Sequence, residues 1–130
     1  MRNPTNPMPD DLREWAYTYG AVEPAQDWDL IITDIVRAPK FIEYASDPKC
    51  PNSLYFLKCL YLLVGDAVRS NGLSCDLREV QKLLDSQKHN WDPEIQVWVQ
   101  RSSKLIQEPA RFLYDDWCGG LLADDPERDF

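Results

Sequence analysis

One hundred and thirty residues, 44% apolar and 12% aromatic, suffice to bury the core of one domain, and five tryptophans exclude a disordered chain. A formal net charge of −8 and a pI near 4.5 argue against phosphate backbones and anionic membranes, so neither nucleic acid nor membrane is expected as a partner. The acid is concentrated at the ends: residues 1–36 carry two basic and seven acidic side chains, residues 37–111 eleven and nine, and residues 112–130 one and six, for nets of −5, +2 and −5.

Pro4, Pro7 and Pro9 make residues 1–9 an extended, flexible lead-in. Asp11-Leu12-Arg13-Glu14 then reads as a capping box, and Leu12, Trp15, Ala16 and Tyr19 give a first helix its stripe, with Gly20 ending it. Asp27 caps a second helix in which Trp28, Ile31, Ile32, Ile35 and Val36 form the apolar face and Asp29, Thr33, Asp34 and Arg37 the exposed one. Pro39 opens a short third helix to Ser46.

Ser53–Ser70 is the most apolar stretch and is expected to be the central helix. Its charges, Lys58 and Asp66 with the terminal Arg69, lie with Tyr55 on one narrow strip, so the rest must be covered by protein. The stripes of the second, fifth and sixth helices are available for that. A membrane span needs about 20 apolar residues, and this run is shorter. Gly65 costs about 1 kcal/mol of helix stability relative to Ala, which calls for a close crossing or a kink.

Asp76-Leu77-Arg78-Glu79 starts a fifth helix, and Trp91-Asp92-Pro93-Glu94 starts a sixth, with Asp92 as cap and Pro93 in the first turn. Pro109 opens a seventh element, 110–118, closed by Gly119-Gly120, and 121–130 is an acidic tail. No period-two alternation occurs, so the fold class is all-α: about seven helices around the 53–70 helix, in one domain spanning 10–120. The order "short helix, polar turn, long helix" occurs at 39–70 and again at 76–107. In that spacing the chain resembles short HEAT-like αα-repeat proteins, which implies a compact repeat array; an irregular helical bundle fits the same pattern.

No metal or cofactor site is expected. Cys50, Cys59, Cys75 and Cys118 are nine, sixteen and forty-three residues apart, unlike the close pairs of zinc sites. Cys118 could pair only with His89 among histidines, and its place at a helix C-terminus would disfavour a thiolate. Asp115 and Asp116 are neighbours on a helix and point about 100° apart, so they do not make one cation site. No phosphate-binding loop, H-E-x-x-H or G-x-S-x-G is present.

The expected function is therefore non-enzymatic: an acidic, cytoplasmic interaction module for a basic protein, with an immunity-type inhibitor of a basic toxin as its concrete form. Its expected surface is Tyr17, Asp29, Asp34, Asp115, Asp116, Asp124 and Asp125. The alternative is a small helical enzyme or ligand-binding domain with Tyr55, Lys58, Asp66 and Arg69 lining a pocket beside the central helix.

Overall fold

A computed structural model describes residues 3–112 and Trp117, and its regular structure among those residues is entirely helical. The helices are α1 (Pro9–Ala16), α2 (Trp28–Ile32), α3 (Ala38–Ser46), α4 (Ser53–Arg69), α5 (Leu77–Ser86) and α6 (Pro93–Gln107), followed by a 3-10 turn at Pro109–Arg111. No helix among the described residues is long and apolar enough to cross a membrane.

The central helix forms where its apolar run requires it, and eleven of its 17 residues are buried. Its principal cover is α3, a partner not expected from the apolar stripes, with α6, α2 and α5 completing the enclosure. The contact with α3 is largely aromatic: the Phe56 ring lies 5.2 Å from Phe41 and 5.0 Å from Tyr44. Stacked or tilted rings at such separations add about 0.5–1.5 kcal/mol per pair beyond area burial.

Helices α5 and α6 begin where the caps predict. Asp76 accepts from the Arg78 amide at 2.8 Å, and Asp92 accepts from Glu94 and Ile95 at 2.8 and 3.2 Å. Caps of this kind are worth about 1 kcal/mol each.

Helix α1 departs from expectation. Met8 occupies the N-cap without a side-chain bond and Pro9 takes the first turn, so the Asp11–Glu14 capping box does not form; Asp10 and Asp11 instead sit near the positive helix end. The helix stops at Ala16, and Tyr19 is outside it and exposed. Its freed carbonyls are taken up from the start of α4. The Asn52 side-chain amide donates to the Trp15, Ala16 and Thr18 carbonyls at 3.0, 3.0 and 2.9 Å, and the Cys50 thiol donates to Ala16 at 3.2 Å.

Helix α2 is also shorter than its stripe. The Thr33 hydroxyl bonds back to the Asp29 carbonyl at 2.5 Å, while Asp34 accepts from the Arg37 amide at 2.8 Å. These local bonds compete with the helical ladder and end it at Ile32. Trp28 and Ile32 are buried as expected, but Ile31 and Val36 are exposed. The lead-in is pinned rather than loose: the Trp28 indole donates to the Pro4 carbonyl at 2.8 Å, Arg37 donates to the Asn6 side chain at 2.8 Å, and Pro7 is buried. Trp91 precedes the Asp92 cap and is exposed.

Gly65 owes its place to a side chain rather than to a helix crossing. A Cβ there would lie 2.8 Å from Trp117 Cδ1, closer than real Cβ contacts come, and 3.1 Å from Phe112 Cε2, tighter than most of them. Apart from Trp117, the expected seventh element beyond Phe112, with Asp115, Asp116, Cys118, Asp124 and Asp125, lies outside the described residues.

Candidate functional site

The polar strip of α4 divides into two environments. Tyr55 and Lys58 face α2, where the Lys58 ammonium meets the Asp29 carboxylate at 3.1 Å. Asp29, expected on a partner-binding surface, is therefore buried against Lys58 rather than presented to solvent. Its other oxygen accepts from the Leu30 amide at 3.0 Å. Burial pulls the Lys58 pKa down, but the hydrogen bond and charge of Asp29, with the nearby Glu23, more than offset it and leave the lysine above its ordinary value. Burial, then Cys59, Glu23 and Asp29, hold the Tyr55 hydroxyl far above the usual tyrosine range. With its ring 4.8 Å from Trp15 and 5.9 Å from Trp28, Tyr55 is a packing residue.

Asp66 has a different setting. It lines a cleft of about 220 Å³ with Thr33, Asp34 and Ile35 from the turn after α2, Leu63 from α4, Ser74, Cys75 and Asp76 from the α4–α5 link, and Glu79 from α5. The expected pocket quartet is thus not brought together: Asp66 alone lines this cleft, while Tyr55 and Lys58 belong to the α2 contact. Arg69 pairs with Asp66 at 3.0 Å but its side chain is 62% exposed and stands outside the lining.

Four carboxylates, from Asp34, Asp66, Asp76 and Glu79, surround the cleft, and each has a cation beside it. Asp34 meets Arg37 at 2.6 Å, Asp76 meets Arg78 at 3.5 Å and Glu79 meets Lys82 at 3.5 Å. The Arg78 and Lys82 side chains are 89% and 75% exposed, so their pairs are held weakly in solvent. The carboxylates of Asp34 and Asp76 are themselves fixed by backbone amides. At the cleft, burial first and then Asp76, Glu79 and Asp34 push the Cys75 thiol above its ordinary value, which makes it a poor nucleophile and marks a negative local field. Among the described residues, no three His, Cys, Asp or Glu side chains are placed to hold one metal ion. The carboxylates form a face rather than a point.

Tyr17 is half-buried, its hydroxyl donating to Asp47 at 2.5 Å and its ring edge-on to Tyr44 at 5.9 Å. That hydrogen bond raises the Tyr17 pKa well beyond its usual range and lowers that of Asp47. Asp34 keeps a place on the acidic face. His89 is exposed in the turn after α5, and Cys118, the thiol for which it was the one histidine candidate, falls outside the described residues. Sequence reasoning missed Cys75, Asp76 and Glu79 as neighbours of Asp66. Asp76 was visible as a cap, but nothing in its spacing from Asp34 signals that the two segments meet.

The chain matches no protein-family model, and neither curated proteins nor solved structures give a match.

Proposed function

We propose that this chain is a non-enzymatic interaction module that takes a basic protein partner on the acidic face centred on the cleft beside Asp66. The observation that carries the reading is the convergence of Asp34, Asp66, Asp76 and Glu79 from three separate stretches onto one opening of a chain with net charge −8. Amides hold the Asp34 and Asp76 carboxylates in place; Arg37 stays packed against Asp34, while the exposed Arg78 and Lys82 beside Asp76 and Glu79 can swing away and be replaced by a partner's cations. Such a face accelerates association and loses its effect as salt rises. A concrete form is a cytoplasmic immunity-type inhibitor that masks a basic toxin, a reading supported by size and charge. The α3–α4 and α5–α6 pairs, each a shorter helix followed by a longer one, support a HEAT-like description of the scaffold.

The test is capture from the source lysate with the tagged full chain, at about 0.1 M and 1 M salt, alongside a D66K/E79K variant whose fold is checked by circular dichroism. A specific partner held at low salt, released at high salt and lost by the variant is expected. Capture of no specific protein, or capture indifferent to both salt and charge reversal, overturns the proposal. The cavity itself supports a second reading, a small-ligand site in the same cleft. Saturable thermal stabilisation by a small cation at fixed ionic strength would favour it.

A further inference from the structure

The chain leaves α4 through a doubly bonded cap. The Asn71 amide donates to the Val68 carbonyl at 3.1 Å and the Gly72 amide to the Ala67 carbonyl at 2.8 Å, the paired bonds that close many helices. Such a cap puts its turning residue in the left-handed region, and Asn71 has φ 55°. Glycine more often fills that position. Here it comes one residue later, as Gly72 with φ 85°.

An asparagine side-chain amide is an electrophile for the backbone nitrogen that follows it. That nitrogen gives its proton to water or hydroxide and attacks Cγ, and the side-chain nitrogen leaves as ammonia with a proton from water, closing a succinimide ring. Water then opens the ring at either carbonyl to give aspartate or isoaspartate. The net change is one water consumed, one ammonia released and one negative charge gained. A following glycine favours ring closure, because no Cβ crowds its nitrogen and its φ is free. Asn3 and Asn6 precede prolines, which have no N–H to lose, Asn52 and Asn90 precede Ser53 and Trp91, and Asn71 alone of the five asparagines precedes glycine. Asn71 is also exposed.

We propose that Asn71 is a deamidation site locked by the α4 cap, reacting only in molecules whose Gly72–Ala67 bond has opened. The nitrogen that must attack is the one whose proton Ala67 holds, so the bond that ends the helix also withholds the nucleophile. Opening of a helix end is a local event and does not require global unfolding. Deamidation places a further carboxylate in the link that brings Ser74, Cys75 and Asp76 to the acidic cleft, and isoaspartate also lengthens the backbone inside the cap. The inference does not depend on what binds at that cleft.

The experiment incubates the full chain in mildly alkaline buffer, native in one arm and unfolded in guanidinium chloride in the other. Position 71 is followed by peptide mapping and mass spectrometry that separates aspartate from isoaspartate. Conversion to both products is expected in the unfolded arm, at least tenfold faster than in the native one. Hydrogen exchange of the Gly72 amide measures the lock independently, since exchange and ring closure need the same N–H released. The native slowing should equal the Gly72 protection factor to within about tenfold. No conversion at position 71 in the unfolded chain, aspartate without isoaspartate, a rate ratio below tenfold, or a larger mismatch with the protection factor overturns the proposal.

Discussion

Replacing Gly65 with alanine sets two effects of opposite sign against each other. In a helix interior the change gains about 0.8–1 kcal/mol of intrinsic propensity. Here the added methyl would meet Trp117 Cδ1 at 2.8 Å, its Nε1 at 3.0 Å and Phe112 Cε2 at 3.1 Å, so two large rings must move. Overfilling a packed site costs about 1–3 kcal/mol, and displacing the indole also weakens the hydrogen bond that its Nε1 donates to the Tyr61 carbonyl, which is worth about 1 kcal/mol. The net expectation for G65A is a loss of about 1–3 kcal/mol. For a chain of this length that corresponds to roughly 4–10 °C in Tm.

The decisive comparison is the same substitution in a W117A background, followed by urea unfolding monitored by far-UV circular dichroism. With the indole gone, the two closest contacts disappear and only the 3.1 Å approach to Phe112 Cε2 is left against the propensity gain, so Gly65→Ala should turn from destabilising to neutral or mildly stabilising. The coupling between the two sites should exceed 1 kcal/mol. Equal effects in both backgrounds, or stabilisation of wild type by G65A, would refute the argument that Gly65 exists to seat Trp117.

Asn52→Ala removes the amide that satisfies three carbonyls at the end of α1, and a loss of about 1–3 kcal/mol is expected from urea titration; Asn52→Asp, which keeps the shape but has no donor, should be no better. Lys58→Met leaves the buried Asp29 carboxylate without its cation. The cost should be about 2 kcal/mol, below that of a sealed pair because the lysine side chain is 27% exposed, and Asp29→Asn in the same background should recover most of it. Stability should also decline in alkali. Burial pushes the Cys59 thiol from 9.0 up to about 12, and Cys50, Cys75, Tyr44, Tyr55 and Tyr61 are likewise raised, chiefly by burial. The native state keeps protons that the unfolded chain releases, so this stability is fully present below about pH 9 and is lost as pH rises toward 12. A Tm series from pH 7 to 11 in reductant checks this, and Cys59→Ala should flatten its onset.

The elements that sequence located well are those whose boundaries are decided locally. Asp76 and Asp92-Pro93 start α5 and α6, and the apolar run of α4 has no alternative to burial. Helix α1 was displaced because Pro9 offered a start two residues before the capping box at Asp11. Helix α2 was cut short because Thr33 and Asp34 bond to backbone more favourably than they continue a stripe. The acidic face was legible only as a collection of charges. Asp34 and Asp66 were noticed, but their meeting with Cys75, Asp76 and Glu79 depends on how three segments pack. Asp29 was misplaced for the same reason: its helix position marks it as polar, and only Lys58, 29 residues further on, explains how it can be buried. Gly65 announced a local anomaly whose cause lies at Trp117.

The Trp117–Tyr61 bond also carries a kinetic consequence. It joins residues 56 positions apart, whereas α3 packs on α4 and α5 on α6 as neighbours in the chain. Contacts within such helical hairpins close small loops and form early, while the indole reaches its carbonyl only after a much larger loop has closed. Interactions that form after the rate-limiting barrier govern how long the native state lasts rather than how quickly it is reached. The C-terminal tryptophan is thus a brake on unfolding: weakening it shortens the lifetime of the folded protein and leaves its folding rate nearly unchanged.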